Sequence, residues 1–414
     1  MKRRWQIPDP ALFLLTFAAT LIGALMIFDA GYARSLAQGL GPIPREFTSQ
    51  AMFAFVALIV AYGCARVSVG QWRRWAVPLF WLSFLSLLAV EFFGKEMNGA
   101  KRWIDVGVLV QPAEFAKIAC VVFLAAVFAS RKPWVAPKKS PRDWAAWMDR
   151  VGMPKLIRGL PLLAVLVAVY LVEREPDLGT AAVIGAVAFI LIFLGGVSRW
   201  SLVAVVIVTG IGLFAMVKQE PYRIDRITNH AQRWNPDHVD DVGYQTTQSE
   251  AAMANGGWTG VGIGAGRSKH MLPAATTDFI LATTGEEFGL LGVLFVLVVL
   301  GGITFRLIVL GNRHQDKFGK LILYGTASWI GVQTCVNVMM ANGYLPAIGI
   351  PLPFVSSGGS SLVALWIAIG ICQSVVAKPR QSHRAVVQDD ERAAEPSRAR
   401  RQTPRPEPRM PVHR

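Results

Sequence analysis

The stretch GLLGVLFVLVVLGGITFRLI at 289–308 decides the fold class, because Arg306 is its only charged residue. A bilayer core of about 30 Å needs about 20 predominantly apolar residues in a helix. The stretch therefore predicts a transmembrane helix. The composition extends this prediction to the rest of the chain, since 53% of its 414 residues are hydrophobic and its mean hydropathy is +0.41.

Similar apolar runs recur at 11–30, 48–66, 75–93, 112–130, 158–173, 179–196, 199–218, 319–341 and 359–377. They predict an all-α integral membrane protein of about ten transmembrane helices, with a large outer loop, about 218–284, between helices 7 and 8. Charged residues from Glu173 to Asp177 separate two of the runs, and nine spans is the alternative. We expect an N-terminus at 1–10, a transmembrane domain at 11–377 and a disordered basic tail at 378–414.

The distribution of Lys and Arg predicts the orientation, because short basic loops stay on the cytoplasmic side. Basic residues cluster before the first run, between runs two and three, and between 131 and 155. Both termini are therefore expected on the cytoplasmic side of the membrane. The net charge of +15 reflects this pattern and the tail, so a nucleic-acid partner is not expected, whereas membrane lipids are.

Asp278 lies where the long loop re-enters the membrane boundary, between apolar residues. Partial desolvation at such a position raises a carboxyl pKa toward the range of a general base. The alternatives are a helix N-cap, for which Asp is a preferred residue, and a solvated acid in the loop. Glu286 and Glu287 are expected in the first turn of the following helix, where negative charge favours the helix dipole.

Other polar residues lie near the predicted outer boundary. Glu114 and Lys117 are three residues apart and share a helical face, either as a pair in a cavity or with Lys117 reaching the surface. Arg223 and Arg226 have the spacing of an amphipathic surface helix. The loop at 344–361 combines Pro, Gly and Ser at membrane depth, which predicts a groove that opens outward. No Cys or His spacing predicts a metal site.

Six motifs together resemble the SEDS family of shape, elongation, division and sporulation proteins. They are GAKRWI (99–104), QPAEFAK (111–117), EPDLGT (175–180), YQ…QS with GGWTGVGIG (244–264), TDFI…GEE (277–287) and PLPF…GGSS (351–361). They keep their order over nearly the whole membrane region. The opening AspPro at 9–10, Trp258 and the Arg/Pro tail are more similar to the division members than to the elongation members.

The resemblance implies an inverting peptidoglycan glycosyltransferase that polymerises lipid II on the outer face of the bacterial cytoplasmic membrane. Asp278 matches the family's proposed catalytic aspartate. Lys101, Arg102 and Lys117 would stabilise the pyrophosphate leaving group, and a divalent cation, Mg²⁺ or Mn²⁺, could supplement them. The substrate-binding residues that we predict are Lys101, Arg102, Glu114, Lys117, Arg223, Gln248, Glu286, Ser356 and Ser360. The resemblance also implies a class B penicillin-binding protein as partner.

The chain departs from the family pattern at three positions. Ala274 replaces the usual Glu, Thr276 replaces the usual His, and Ser357 stands before Gly358 where the family has Tyr and Gly. These departures leave a low-activity scaffold open as an alternative. A lipid II flippase is a further alternative, and a glycosidase with paired carboxylates ranks last.

Overall fold

The structure is a computed structural model that describes residues 8–39, 41–97, 100–130, 153–196, 210, 228, 230–235 and 243–377. The predicted span at 199–218, apart from Gly210, lies outside the described residues. So do the first seven residues of the predicted N-terminus, and so does the tail at 378–414. The domain boundaries and the count of ten spans stay predictions.

The described residues are mostly helical. The helices are α1 (Pro10–Ala37), α2 (Arg45–Arg66), α3 (Val69–Phe93), α4 (Pro112–Ser130), α5 (Met153–Arg174), α6 (Leu178–Leu194), α7 (Tyr244–Gly256), α8 (Ser268–Met271), α9 (Ile280–Arg313), α10 (Lys317–Ala341) and α11 (Gly359–Val376). Within the described ranges, six of them are long and apolar enough to cross a membrane: α1, α2, α3, α4, α9 and α11. The prediction of a helical, multi-pass membrane protein is confirmed.

A small antiparallel sheet interrupts the helical pattern, which the expectation of an all-α chain did not include. Its strands are β1 (Lys95–Met97), β2 (Ala100–Asp105) and β3 (Leu109–Val110), in the order β1-β2-β3. Lys101 lies opposite Glu96 and Ile104 opposite Val110. Strands β1 and β3 are too short to show the alternating hydrophobic pattern by which a sequence predicts a strand.

Helix α4 is enclosed by α3, α6, α10 and α11. Its buried residues therefore lie all around the helix rather than along one stripe. A helix with this burial pattern cannot expose a polar side chain to lipid, so the polar residues of α4 must find partners inside the bundle.

Four connections meet at one end of the bundle: 95–110, 175–177, 272–279 and 342–358. The Arg102 Nε donates to the carbonyl of Glu175 at 3.0 Å, and the Ser357 N–H donates to the carbonyl of Thr276 at 2.9 Å. At the other end, Asp9 accepts two hydrogen bonds from Arg306, and its backbone N–H and carbonyl pair with the Gln373 amide. The four connections form the site described below.

Candidate active site

Asp278 ends the connection that precedes α9. The N-cap of α9 is Phe279, which makes no side-chain cap hydrogen bond, so the alternative that Asp278 caps this helix is wrong. Its backbone carbonyl accepts a hydrogen bond from Asn337 Nδ2 at 2.9 Å, and the same amide donates to the carbonyl of Ile350 at 2.7 Å. Asn337 of α10 therefore joins Asp278 to the connection 342–358.

The Asp278 carboxyl is desolvated without being sealed off. It remains partly accessible, and a Cβ at Gly349 would lie 3.8 Å from Asp278 Oδ2. Burial raises the pKa of Asp278 to about 6, the charge of Asp177 adds to this increase, and Arg102 opposes it. A carboxyl with this pKa is ionised at neutral pH and is a stronger base than a solvated carboxylate.

Asp177 is the second carboxylate of the site, and the sequence prediction missed it although its motif had been noted. One oxygen caps α6 by accepting from the Thr180 N–H at 3.0 Å, and the other accepts from Gln111 Nε2 at 2.9 Å. Burial raises its pKa, while Arg102 and the Thr180 N–H act against that increase. Gly179 permits a close approach, because a Cβ there would lie 2.7 Å from the carbonyl of Ile348.

Arg102 lies at the edge of the site that contains the Asp177 and Asp278 carboxylates. Its guanidinium donates to the carbonyls of Glu175 and Pro176, so the strand β2 is joined to the turn before α6. Burial raises the pKa of Glu175 to about 9, and within the described part of the chain neither oxygen of its carboxyl has a hydrogen-bond partner. Lys101, the neighbouring residue on β2, is exposed.

Glu114 and Lys117 form a buried pair, which agrees with the cavity interpretation and not with a lysine that reaches the surface. Lys117 Nζ lies 2.8 Å from Glu114 Oε1 and 3.2 Å from Gln333 Oε1. The amide of Gln333 then donates to the carbonyl of Pro351 at 2.8 Å. Through Gln333 the pair therefore supports the connection 342–358, and its contact with substrate stays a prediction.

Ser356 and Ser360 hold the two ends of the segment that leads into α11 in contact with neighbouring connections. Ser356 Oγ donates to the carbonyl of Thr277 at 2.6 Å and accepts from the Leu352 N–H at 2.7 Å. Ser360 Oγ accepts from the Gln111 N–H at 3.0 Å. Both hydroxyls thus join neighbouring connections of the site, and their binding of substrate remains untested.

The remaining predicted binding residues lie elsewhere. Glu286 is in the second turn of α9, because the helix begins at Ile280, so its expected place in the first turn is wrong. Its carboxyl accepts from Asn255 Nδ2 at 2.9 Å and from the Ser268 N–H at 2.8 Å. Gln248 is half-buried on α7. Arg223 lies outside the described residues.

A buried group of charges at the outer end of α9 was also missed. Lys269 Nζ lies 2.7 Å from Glu287 Oε1 and 3.0 Å from Asp29 Oδ2. These residues come from α8, α9 and α1 and are far apart in sequence. Nothing in the sequence indicates that Lys269, a lysine in a loop, contacts Asp29, an acid in the first apolar run.

Two of the three departures from the family pattern lie in the turn before Asp278, and the third, Ser357, is hydrogen-bonded to that turn. The carbonyl of Ala274 accepts from the Thr277 and Phe279 N–H groups, and the carbonyl of Thr276 accepts from Ser357. Backbone groups therefore build this turn. Among the described residues, no group of three or more His, Cys, Asp or Glu side chains could hold a metal ion.

Known proteins share both the sequence pattern and the fold. The FtsW/RodA/SpoVE model, described as cell cycle protein, matches residues 10–381. A probable peptidoglycan glycosyltransferase FtsW of Tolumonas auensis is 34% identical over 380 residues, which cover 89% of this chain and 93% of the relative. The corresponding FtsW of Aliivibrio salmonicida is 32% identical over 372 residues, covering 88% and 87%.

Two solved structures are similar. One, from work on the structural coordination of polymerization and crosslinking by a peptidoglycan synthase complex, has a TM-score of 0.73 and 26% identity and covers 91% of this chain and 100% of the solved chain. The other is the crystal structure of the rod shape determining protein RodA of Thermus thermophilus, with a TM-score of 0.64, 25% identity and coverage of 92% and 100%. The predicted SEDS resemblance is confirmed: the chain belongs to the FtsW/RodA/SpoVE family of cell cycle proteins.

Proposed function

We propose that this protein is a peptidoglycan glycosyltransferase that polymerises lipid II, with Asp278 as the general base. The observation that carries the proposal is the state of the Asp278 carboxyl, which is desolvated, partly accessible and raised in pKa to about 6. The relatives named peptidoglycan glycosyltransferase and the solved peptidoglycan synthase complex support the reaction class.

The reaction needs a base because a sugar hydroxyl is a weak nucleophile. Asp278 would accept the proton of the acceptor 4-hydroxyl, whose oxygen then attacks the anomeric carbon of the donor. The bond from that carbon to undecaprenyl pyrophosphate breaks, and the configuration at the carbon is inverted. Asn337 and Ser356 hold the backbone on either side of the carboxyl, so its position is set before substrate enters.

The pyrophosphate leaving group carries negative charge and is stabilised by nearby cations. Arg102 is the cation best placed for this role, since its charge acts on both Asp177 and Asp278. Lys101 is adjacent on β2 and exposed. Lys117 is buried beneath the site and would contribute through its charge rather than by contact.

The site would face the outside of the cytoplasmic membrane. Arg66, Arg73 and Arg74 lie around the α2–α3 connection, at the end of the bundle opposite to the site. Basic connections of this kind remain in the cytoplasm. Lipid II presents its sugars on the outer face, where the product is needed.

The partner would be a class B penicillin-binding protein whose transpeptidase crosslinks the new strands. The similarity to a synthase complex that coordinates polymerization with crosslinking supports this assignment. Because the relatives carry the FtsW name, we place the protein in cell division rather than in elongation.

Polymerisation of lipid II by the purified protein with its partner tests the proposal. The partner carries an inactive transpeptidase serine, and glycan strands are separated on gels. We expect strands from the wild type and from the control Asp105→Asn, which changes a half-exposed outer aspartate. We expect none from Asp278→Asn. Strands from Asp278→Asn, or no strands from any variant, would favour the flippase or scaffold alternatives.

A further inference from the structure

The helix α9 is broken near its outer end. Gly289 has φ 66° and ψ −166°, which lie outside the helical region and favour glycine. Residues 280–287, before the break, are all buried, whereas Leu290 and Leu291, after it, are exposed. The two parts of α9 therefore lie in different surroundings, and only the second part faces the lipid.

The break fixes the height of this region in the membrane. From Leu290 to Ile308 the helix is long enough to cross a hydrocarbon core of about 30 Å at about 1.5 Å per residue. Leu294, Phe295 and Val298 are exposed along this part. Gly289 therefore marks the outer boundary of the hydrocarbon.

The glycine-rich segment 257–263 is bonded to the broken turn. The N–H groups of Val261 and Gly262 donate to the carbonyls of Glu286 and Glu287 at 2.9 and 3.0 Å. In return, the N–H groups of Leu290 and Leu291 donate to the carbonyls of Gly257 and Trp258 at 2.9 and 3.2 Å. A broken helix at a membrane boundary needs such partners for its free backbone groups.

Two glycines allow the contact. A Cβ at Gly260 would lie 2.1 Å from the carbonyl oxygen of Glu287, and a Cβ at Gly289 would lie 2.4 Å from the carbonyl of Trp258. The backbones meet directly, so the segment is held at the height of the broken turn and cannot move away from the boundary independently of α9.

The side chains of this segment point outward. Trp258 is 71% exposed and Ile263 is 68% exposed, and Val261 is exposed with them. The backbone hydrogen bonds from Leu290 and Leu291 place this apolar segment beside the start of the lipid-facing part of α9, where both leucines are exposed. Arg267 and His270, just beyond it in sequence, are also exposed.

We infer that segment 257–263 inserts Trp258 and Ile263 into the outer-leaflet interface and binds lipid at the boundary between headgroups and acyl chains. Trp is the residue type enriched at this level of membranes, where its ring meets acyl chains and its N–H meets water or headgroups. Arg267 supplies a cation for headgroup phosphate. The segment thereby ties the connection that carries Asp278 to the membrane surface from which a lipid-linked substrate arrives.

The inference concerns lipid contact and does not depend on the proposed reaction, so it is tested without substrate. Ile263→Cys is made with Cys335→Ser, which removes an exposed thiol, and the new thiol is spin-labelled in bilayers. Its accessibility to oxygen and to a water-soluble nickel complex is compared with Phe295→Cys in the span and with the free label in buffer. The labelled variant must also keep the wild-type melting temperature.

We expect the label at 263 to be accessible to oxygen and about tenfold less accessible to nickel than the free label. A nickel accessibility like that of the free label would overturn the inference. So would a label that is water-exposed in the protein alone and becomes protected only when the penicillin-binding partner is added, because that result would make the segment a protein interface.

Discussion

Lys117 and Glu114 form a 2.8 Å ion pair in which each side chain is 3% exposed. The Lys117 ammonium lies 5.3 Å from the centroid of the Trp329 ring. Gln333 Oε1 accepts one hydrogen bond from that ammonium and another from the indole N–H of Trp329. A charge at this depth is tolerated only with its partner, since removal of one member of a buried pair costs about 3–5 kcal/mol.

We therefore expect Lys117→Met to lower the melting temperature strongly, because it leaves the Glu114 carboxylate without its cation. The double variant Glu114→Leu with Lys117→Met should recover most of that loss. Thermal unfolding in detergent and a double-mutant cycle measure both effects. A double variant whose loss equals the sum of the losses in Glu114→Leu and Lys117→Met would show that the two charges do not depend on each other.

The Asp278 carboxyl should weaken the fold at the pH where it works. Its pKa is about 6 in the folded protein, against 3.8 for an ordinary Asp. The carboxyl is protonated in both the folded and the unfolded protein well below pH 4, so it does not destabilise the fold there. The free-energy cost to folding grows as pH rises from the ordinary pKa of 3.8 through the folded pKa of about 6, and it is complete above about 7.

Asp278→Asn is thus expected to raise stability at pH 7 by about 1–3 kcal/mol, with the gain shrinking as pH is lowered to 5, while polymerisation is lost. Melting curves of both proteins at several pH values test this. A variant that is less stable than the wild type at pH 7 would show that the carboxylate is well solvated or paired.

Asp177 should set the pH at which Asp278 becomes a base. Its negative charge adds to the increase in the pKa of Asp278. We expect Asp177→Asn to keep the cap on α6, since Asn also caps helices, and to move the acidic limb of kcat/KM to lower pH. An unchanged limb with reduced activity would show that Asp177 has only a structural role.

The sequence predicted the six described spans α1, α2, α3, α4, α9 and α11 because each contains one long apolar run, and α4 begins at Pro112 as expected. It also singled out Asp278 by its apolar neighbours and its motif. It could not predict that Asn337 would bond to Asp278 or that Asp177 would lie close enough to act on it. Those contacts arise where connections distant in sequence meet, and the pattern within each connection contains no information about the others.

The small antiparallel sheet and the broken helix α9 also could not be predicted from the sequence. Strands as short as β1 and β3 have no periodic pattern, and the sequence around Gly289 reads as one uninterrupted helix. The break depends on the backbone of segment 257–263, which supplies the hydrogen bonds that the helix lacks.

Among the described lysines outside the site, Lys269 is the one whose replacement we expect to destabilise the protein most. It is 3% exposed and lies between the carboxylates of Glu287 and Asp29, and these bonds raise its pKa against the effect of burial. Lys269→Met would leave two carboxylates close together without a cation, so we expect a loss of about 3–5 kcal/mol. Lys95→Met is the matched control, because Lys95 and its partner Asp105 are 56% and 47% exposed, and exposed pairs contribute at most about 1 kcal/mol. Melting temperatures of the two variants in the same detergent measure the difference. Similar small losses in both would mean that Lys269 does not hold α1, α8 and α9 together.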